Sequence, residues 1–230
     1  MYQVYNNDEL IYVFPVIIGS NEPITQLVNG TYSHDPILIV GPGTGLGLAT
    51  LIMQNSIPTI LQGEGGHVHF SPRSEIELDL YAWFREQKKC ITAETLVSGR
   101  GLEEIYKFLG GGKPELTKTE ANQKLAEEIG EGALVGDPKC LEAVHIMFGV
   151  LGTVVANAVL TTGSWGGVVL GGGIIPKLVS LLEMSPFLKN FLTHDTHYEL
   201  LNDVPIFIFS DPYGGVRGAQ IAFSKKFSSK

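Results

Sequence analysis

A glycine-rich stretch between two apolar runs places the strongest restriction on the fold. Residues 41–47 read Gly-Pro-Gly-Thr-Gly-Leu-Gly, and they separate apolar runs at 36–40 and 49–53. Short, continuously apolar runs indicate buried strands, and their close spacing favours a β-hairpin over a strand–helix unit. Glycines leave backbone N–H groups uncovered and permit positive φ values. A glycine-rich turn can therefore bind a phosphate through its backbone amides. A tight turn without a ligand is the alternative for this stretch taken alone.

The composition is that of a globular protein with a sizeable core. The chain has 230 residues, of which 44% are hydrophobic and 17% are charged. A net charge of −8 and the lack of a basic run argue against nucleic acid and membrane as partners. Cys90 and Cys140 form neither a metal-ligand spacing nor a disulfide framework, which favours a reducing compartment. The apolar run at 10–19 is too short to span a bilayer, so we expect a cytoplasmic protein.

Helical and strand patterns alternate along the chain, which predicts an α/β fold. A long helix after Asp137-Pro138 is apolar on nearly all faces, so we expect it to be central and buried. His145 on this helix is expected to be a hydrogen-bonded core histidine, whereas His194 and His197 are expected to be solvated. Helices are predicted at 74–88, 92–97, 101–109, 121–129 and 138–160, and further strands at 167–170 and 204–209.

Two further glycine-containing segments carry residues suited to ligand binding. Residues 63–67 are Gly-Glu-Gly-Gly-His, in which Glu64 and His67 suit the hydroxyl groups of a polyol such as a sugar. A glycine turn with a solvated Glu is the alternative, and a metal site that uses His69 lacks a further clustered ligand. Residues 171–173 are glycines that follow an apolar strand, where a flat ring can lie against the backbone. A strand that ends in a tight turn is the alternative here.

In order and spacing, these segments resemble the bacterial-type glucokinases, ATP-dependent sugar kinases of the actin/hexokinase fold. The resemblance covers residue 36 to the C-terminus. It implies an α/β, actin-like (ribonuclease H-like) fold, with residues 36–230 as the large C-terminal lobe and 1–35 as a remnant of the small N-terminal lobe. The matching motifs are Gly-Pro-Gly-Thr-Gly-Leu-Gly at 41–47, Gly-Glu-Gly-Gly-His-Val at 63–68, Thr-Ala-Glu-x-x-x-Ser-Gly-x-Gly-Leu at 92–102, and the glycine-rich segment 166–176.

The resemblance also implies the substrates and the residues that bind them. It implies that ATP, with Mg²⁺, phosphorylates glucose or a similar hexose. It also implies a cytoplasmic homodimer, and it assigns no side chain as a metal ligand. Asp8 matches the family's catalytic base, although Glu9 replaces the Phe that normally follows; a polar chain terminus is the alternative. By resemblance, the phosphate hairpin comprises Gly41, Gly43, Thr44 and Gly45, the sugar contacts Asn7, Asp8, Glu64, His67 and Glu94, and the adenosine lies by Gly171, Gly172 and Gly173.

Departures from the family pattern lower the expected activity of this chain. The family's other phosphate loop, Asp-x-Gly-Gly-Thr-Asn in the small lobe, has no counterpart here, and His69 stands where the family usually has Asp. We expect weak kinase activity from this chain alone, because losing one preorganised donor costs about two to three decades in rate. A non-catalytic sugar-binding or regulatory paralogue is the alternative, as is a structural protein whose glycines only form turns. The related zinc-containing N-acetylmannosamine kinases are disfavoured, because residues 70–88 contain no cysteine.

Overall fold

The computed structural model describes residues 24–31, 33–54, 57–87, 90–111 and 121–211. Within these ranges, six strands form one mixed sheet in the order β1-β6-β5-β2-β3-β4. Three central strands, β2, β5 and β6, run parallel, whereas β3, β4 and β1 pair antiparallel with their neighbours. The strands are β1 Ile24–Val28, β2 Ile37–Pro42, β3 Leu46–Gln54, β4 Ile57–Gly63, β5 Gly167–Leu170 and β6 Ile206–Phe209.

Helices fill the connections between the parallel strands, as parallel pairing requires. Most of them lie between β4 and β5, and short ones follow β5. Two short 3-10 helices, Gly65–His67 and Ile175–Lys177, lie close after strands β4 and β5. The α-helices are α1 Glu75–Gln87, α2 Ala93–Leu96, α3 Gly99–Phe108, α4 Ala121–Leu134, α5 Pro138–Thr162, α6 Val179–Met184, α7 Phe187–Leu192 and α8 Tyr198–Asn202.

The long helix α5 is the centre of the main core, as its composition predicts. Its N-terminus is capped by the Asp137 carboxylate, which accepts a hydrogen bond of 2.9 Å from the backbone N–H of Cys140. Gly163, at φ +65°, ends the helix in the left-handed conformation. Among the described residues, only α5 is long and apolar enough to cross a bilayer. Most of its apolar window is buried inside the protein, which identifies it as a core helix.

Alternate residues of β2 face opposite sides of the sheet, as the two-residue period of a strand dictates. Leu38 and Val40 pack in the main core together with the helices. Ile39 packs in a second cluster with Leu51 and Val169. The sheet therefore buries apolar side chains on both faces, which is typical of a sheet with parallel central strands.

The predicted α/β class, the hairpin and the predicted helices within the described ranges are confirmed, with ends that differ by a few residues. The patterns do not predict β4, which contains Pro58; a proline is tolerated there because β4 is an outer strand of this sheet. β1 is also not predicted, and it pairs with β6 in the same sheet although it lies within the range assigned to the small lobe. The boundary at residue 35 stays a prediction.

One buried carboxyl group gives the fold a pH dependence. Glu103 on α3 is only 3% exposed, and burial raises its pKa to about 7 despite the nearby Lys107. The folded state therefore retains a proton that the unfolded chain has released, so stability falls as the pH rises from about 4.5 to 7.

We expect Glu103→Gln to be more stable than the parent chain at pH 8, by about 3 kcal/mol, because the variant carries no charge to bury. The gain should vanish below about pH 4.5, where Glu103 is protonated in both states. Urea unfolding of both proteins at pH 4.5, 6 and 8 measures the difference. An equal difference at all three pH values contradicts this prediction.

Candidate functional site

The glycine hairpin between β2 and β3 turns tightly at residues 43–45. The backbone N–H of Gly43 donates to the carbonyl oxygen of Gly45 at 2.8 Å. The expectation that the amides of this turn are uncovered is therefore wrong for Gly43. The carbonyl oxygen of Gly43 accepts from the N–H of Gly99 at 2.8 Å. Gly41 pairs with Gly47 across the two strands, and the Thr44 side chain is exposed at the tip. The hairpin thus presents Thr44 and glycine backbone, but its own hydrogen bonding occupies part of that backbone.

The second glycine segment lies beside the hairpin because β5 runs parallel to β2 in register. Gly171 donates its N–H to the carbonyl oxygen of Val40 at 2.8 Å. A Cβ atom built on Gly43 would lie 3.8 Å from the backbone nitrogen of Gly173. Gly172 and Gly173 are exposed. The two segments therefore form one surface of bare backbone at the carboxyl ends of parallel strands, which is where open α/β sheets bind ligands.

Gly172 allows the two glycine segments to pack closely against each other. Its φ is +80°, and a Cβ atom on it would lie 2.5 Å from the carbonyl oxygen of Pro42. Both features require glycine at this position. The structure thus brings residues 41–45 and 171–173 together.

The N-terminus of α3 adjoins the hairpin. The Ser98 hydroxyl accepts a 3.1 Å hydrogen bond from the N–H of Gly101 and donates one of 2.8 Å to the carbonyl oxygen of Glu94. Ser98 is thus the N-cap, and α3 begins at Gly99, two residues before the predicted start. A helix N-terminus favours negative charge, so this end suits a phosphate near the hairpin. The sequence pattern predicts a helix start at residue 101, although a serine before a helical pattern is a signal for an N-cap.

Glu64 directly precedes the 3-10 helix Gly65–His67, and His67 ends it, so the two side chains lie near each other. His67 Nε2 is 3.9 Å from Glu64 Oε2, and the two side chains are 58% and 66% exposed, respectively. Gly66 packs on the start of β3, since a Cβ atom on it would lie 2.2 Å from the carbonyl oxygen of Leu46. The structure therefore places Glu64 and His67 near each other, with both side chains open to solvent.

Glu94, on α2, reaches the same part of β3. Its Oε2 accepts a 2.8 Å hydrogen bond from the backbone N–H of Leu46, the first residue of β3 after the glycine turn. The N–H of Ala93 donates to the carbonyl oxygen of Val68 at 2.9 Å, which ties α2 to the segment that carries His67. Leu46 is thus the common neighbour of Glu94 and Gly66. The structure brings the three described sugar-binding candidates to one end of the glycine hairpin.

Two of the expected site residues, Asn7 and Asp8, lie outside the described residues. Within the described part of the chain, no group of three or more His, Cys, Asp or Glu side chains is arranged to hold a metal ion. His69 Nε2 lies 3.9 Å from the Sγ atom of the exposed Cys90, and the two form only a pair.

Two histidines differ from the sequence expectation. Nε2 of His145 and Nε2 of His194 are buried, and neither has a hydrogen-bond partner among the described residues. Burial lowers the pKa of both imidazoles, and for His194 the charges of Arg73 and His197 lower it further. His145 therefore lacks the expected hydrogen bond at Nε2, and His194 is partly exposed but has its Nε2 atom buried. His194 lies between α7 and α8 along the chain, and the sequence patterns do not predict these two helices.

Comparison with known proteins identifies relatives along nearly the whole chain. The family model described as Glucokinase matches residues 12–226. A glucokinase from Colwellia psychrerythraea is 37% identical over 224 residues, which cover 96% of this chain and 68% of the relative. A glucokinase from Helicobacter pylori is 38% identical over 192 residues, which cover 81% of this chain and 57% of the relative. The chain thus spans between about half and two thirds of the length of these relatives.

Solved structures share the fold. The structure of a glucokinase from an Antarctic psychrotroph superposes with a TM-score of 0.77 at 24% identity, over 95% of this chain and 66% of that one. A glucokinase of the ROK family from Streptomyces griseus, solved in complex with glucose and AMPPNP, superposes with a TM-score of 0.59 at 17% identity, over 93% and 65% of the two chains. At these identities the likeness establishes the sugar kinase fold, and the expected actin-like class is confirmed.

Proposed function

Because the chain belongs to the glucokinase family, we propose that its site phosphorylates glucose, or a similar hexose, with ATP to give the 6-phosphate. The observation that carries this proposal is the meeting of two different surfaces around Leu46. On one side lie the carboxylates and the imidazole of Glu64, His67 and Glu94. On the other side lies the backbone of the two glycine segments. A kinase needs its acceptor and its phosphate donor next to each other, because phosphoryl transfer depends mainly on positioning and charge stabilisation.

The sugar side has the chemistry for hydroxyl groups. A carboxylate accepts hydrogen bonds from hydroxyls, and a neutral imidazole donates or accepts one. Glu64 and His67 are more than half exposed, so a sugar can reach both. Glu94 uses one carboxylate oxygen to hold Leu46, which leaves the other oxygen for a sugar hydroxyl.

The nucleotide side has room for phosphates against bare backbone. Gly43, Gly172 and Gly173 present no side chain, and a Cβ atom on Gly173 would meet nothing within 4 Å. We assign the phosphates to residues 41–45 together with the N-terminus of α3, and the adenosine to residues 171–173. Mg²⁺ binds through substrate phosphates and keeps several waters, so it needs no cage of protein ligands. It would neutralise phosphate charge next to the hairpin.

The proton acceptor for the sugar 6-hydroxyl is proposed to be Asp8, with Asn7 beside the sugar. Both lie outside the described residues, and both assignments come from the family resemblance. A general base must come within hydrogen-bond reach of the proton that it removes. A kinase assay of Asp8→Asn with unchanged glucose affinity and a large loss of turnover would support this role; unchanged turnover would contradict it.

We expect Glu64→Gln to weaken glucose binding about ten-fold or more, because a hydrogen bond to a charged acceptor contributes about 1.5–3 kcal/mol. Isothermal titration calorimetry with glucose measures the dissociation constant of both proteins. Glu183→Gln, a change at an exposed glutamate on α6, serves as the matched control and should bind like the parent chain. Equal affinity of the Glu64→Gln variant and the parent would overturn the assignment of the sugar site.

A coupled assay with glucose, ATP and Mg²⁺ separates the kinase from its alternative. Turnover that falls in the Glu64→Gln variant supports the kinase. Glucose binding that depends on Glu64, without ATP turnover, supports the sugar-binding paralogue. The absence of a thermal shift with either ligand supports the structural protein.

The proposal extends to the oligomeric state of the protein and its location in the cell. We propose a homodimer on the basis of the family resemblance, and light scattering of the purified chain tests it. A cytoplasmic location agrees with the two cysteines, both of which are free in the structure.

A further inference from the structure

Arg100 is the second residue of α3 and lies next to the glycine hairpin. The N–H of Gly99 donates to the carbonyl oxygen of Gly43 at 2.8 Å, and Arg100 follows Gly99 directly. Consecutive Cα atoms are about 3.8 Å apart, so the backbone of Arg100 is one short step from a direct contact with the hairpin. Arg100 is exposed. Its long side chain can therefore bring the guanidinium group to a ligand that lies on the hairpin.

The acids near Arg100 do not neutralise its charge. Within the described part of the chain, its guanidinium group forms no salt bridge and no hydrogen bond. Two glutamates follow it on α3. Glu104 pairs with Lys107 at 2.7 Å, and Glu103 is buried, which raises its pKa to about 7. The positive charge of Arg100 is therefore available to an anion that reaches the hairpin.

The position of this charge is unfavourable for the helix itself. The N-terminus of a helix carries a positive partial charge, so acids stabilise the first turn and cations destabilise it. The first turn of α3 contains Arg100 between two glycines and has no acid. A residue that opposes the local preference is expected mainly at functional sites. The helix terminus and the guanidinium group would instead attract the same anion, because both present N–H donors and positive charge.

From these observations we propose that Arg100 binds the phosphate groups of the nucleotide at the glycine hairpin. This inference rests on the proposed nucleotide site and adds a residue that the family resemblance leaves open, because Arg100 is the variable position of the Ser-Gly-x-Gly-Leu motif at 98–102. A guanidinium group can donate two parallel hydrogen bonds to one phosphate. The chain has a net charge of −8, so a cation at the site also offsets its general repulsion of ATP.

Calorimetric titration of the full chain with ATP and with adenosine tests the proposal, because only ATP carries phosphates. We expect Arg100→Ala to weaken ATP binding about ten-fold or more, since a hydrogen bond between charged groups contributes at least that factor. The affinities for adenosine and glucose should stay unchanged. Arg100→Lys keeps the charge but loses the planar guanidinium group, so it should retain part of the ATP affinity. Arg100→Ala should unfold at the same or a higher urea concentration than the parent chain, because it removes a cation from the N-terminus of α3.

Arg85→Ala is the matched control, because it removes an exposed arginine from α1 and changes the net charge by the same amount. It should bind ATP like the parent chain. Three results would overturn the role of Arg100: unchanged ATP affinity in Arg100→Ala, an equal loss of ATP and adenosine binding, or an equal loss of ATP binding in both alanine variants. A parent chain that binds no ATP would contradict the proposed function as well, whereas ATP binding that does not depend on Arg100 contradicts this inference alone.

Discussion

We expect Gly172→Ala to destabilise the protein by about 2–5 kcal/mol, a substantial fraction of the roughly 5–15 kcal/mol by which native proteins are stable. Two effects add up. A residue with a Cβ atom at φ +80° costs about 1–2 kcal/mol. The new Cβ atom would also lie 2.5 Å from the carbonyl oxygen of Pro42, and forcing extra atoms into a packed site costs about 1–3 kcal/mol. Backbone atoms cannot move aside as a flexible side chain can, so β2 and β5 must separate at this end.

Gly173→Ala is the matched control for this prediction. A Cβ atom on Gly173 meets nothing within 4 Å, so the variant should unfold at the same urea concentration as the parent chain. Its effect should appear in nucleotide binding instead, because the methyl group occupies the proposed adenosine surface. Urea unfolding and ATP titration of both variants separate the two roles. Equal stability of the two variants would contradict the structural role of Gly172.

We expect Glu94→Gln to lower glucose affinity about 10- to 100-fold and also to destabilise the fold. Glu94 holds the backbone N–H of Leu46 with a charge-assisted hydrogen bond of 2.8 Å. A bond of this kind contributes about 1.5–3 kcal/mol, and a neutral amide replaces only part of it. The same carboxylate is proposed to accept a sugar hydroxyl, so one substitution should affect both stability and binding.

Glu64→Gln separates these two effects. The Glu64 side chain is 66% exposed, so its removal should reduce glucose affinity with little change in unfolding. Calorimetry measures the glucose dissociation constant of each variant, and urea unfolding measures the unfolding free energy of each. If Glu94→Gln changes neither quantity, the hydrogen bond to Leu46 does not organise the site.

The contacts of Leu46 link the proposed sugar surface to the proposed nucleotide surface. Leu46 starts the strand that leaves the glycine turn, and Gly66 packs closely on its carbonyl oxygen. Any shift of the hairpin on binding phosphate would move the Leu46 amide and with it the Glu94 carboxylate. Leu46 thus connects the proposed sugar surface and the proposed nucleotide surface through a single residue.

Local patterns were sufficient for much of the fold. Glycine at 41–47 between apolar runs predicts the β2–β3 hairpin, because turn and strand preferences act over a few residues. The cap at Asp137 and the apolar composition of the following residues predict the buried helix α5. Strand β4 escaped prediction because Pro58 and a glycine end obscure its pattern, and the short helices α7 and α8 are too brief to show a periodicity.

The sequence by itself determined the α/β class, the hairpin and the central helix, and its motifs supplied the residues that we propose for the sugar and nucleotide surfaces. Only the tertiary structure decided that Glu94 binds Leu46, 48 residues away, and that Gly43 faces Gly173. It also decided that α3 begins against the hairpin. The physical reason is that such contacts depend on strand register and helix packing between distant segments, which no local periodicity encodes.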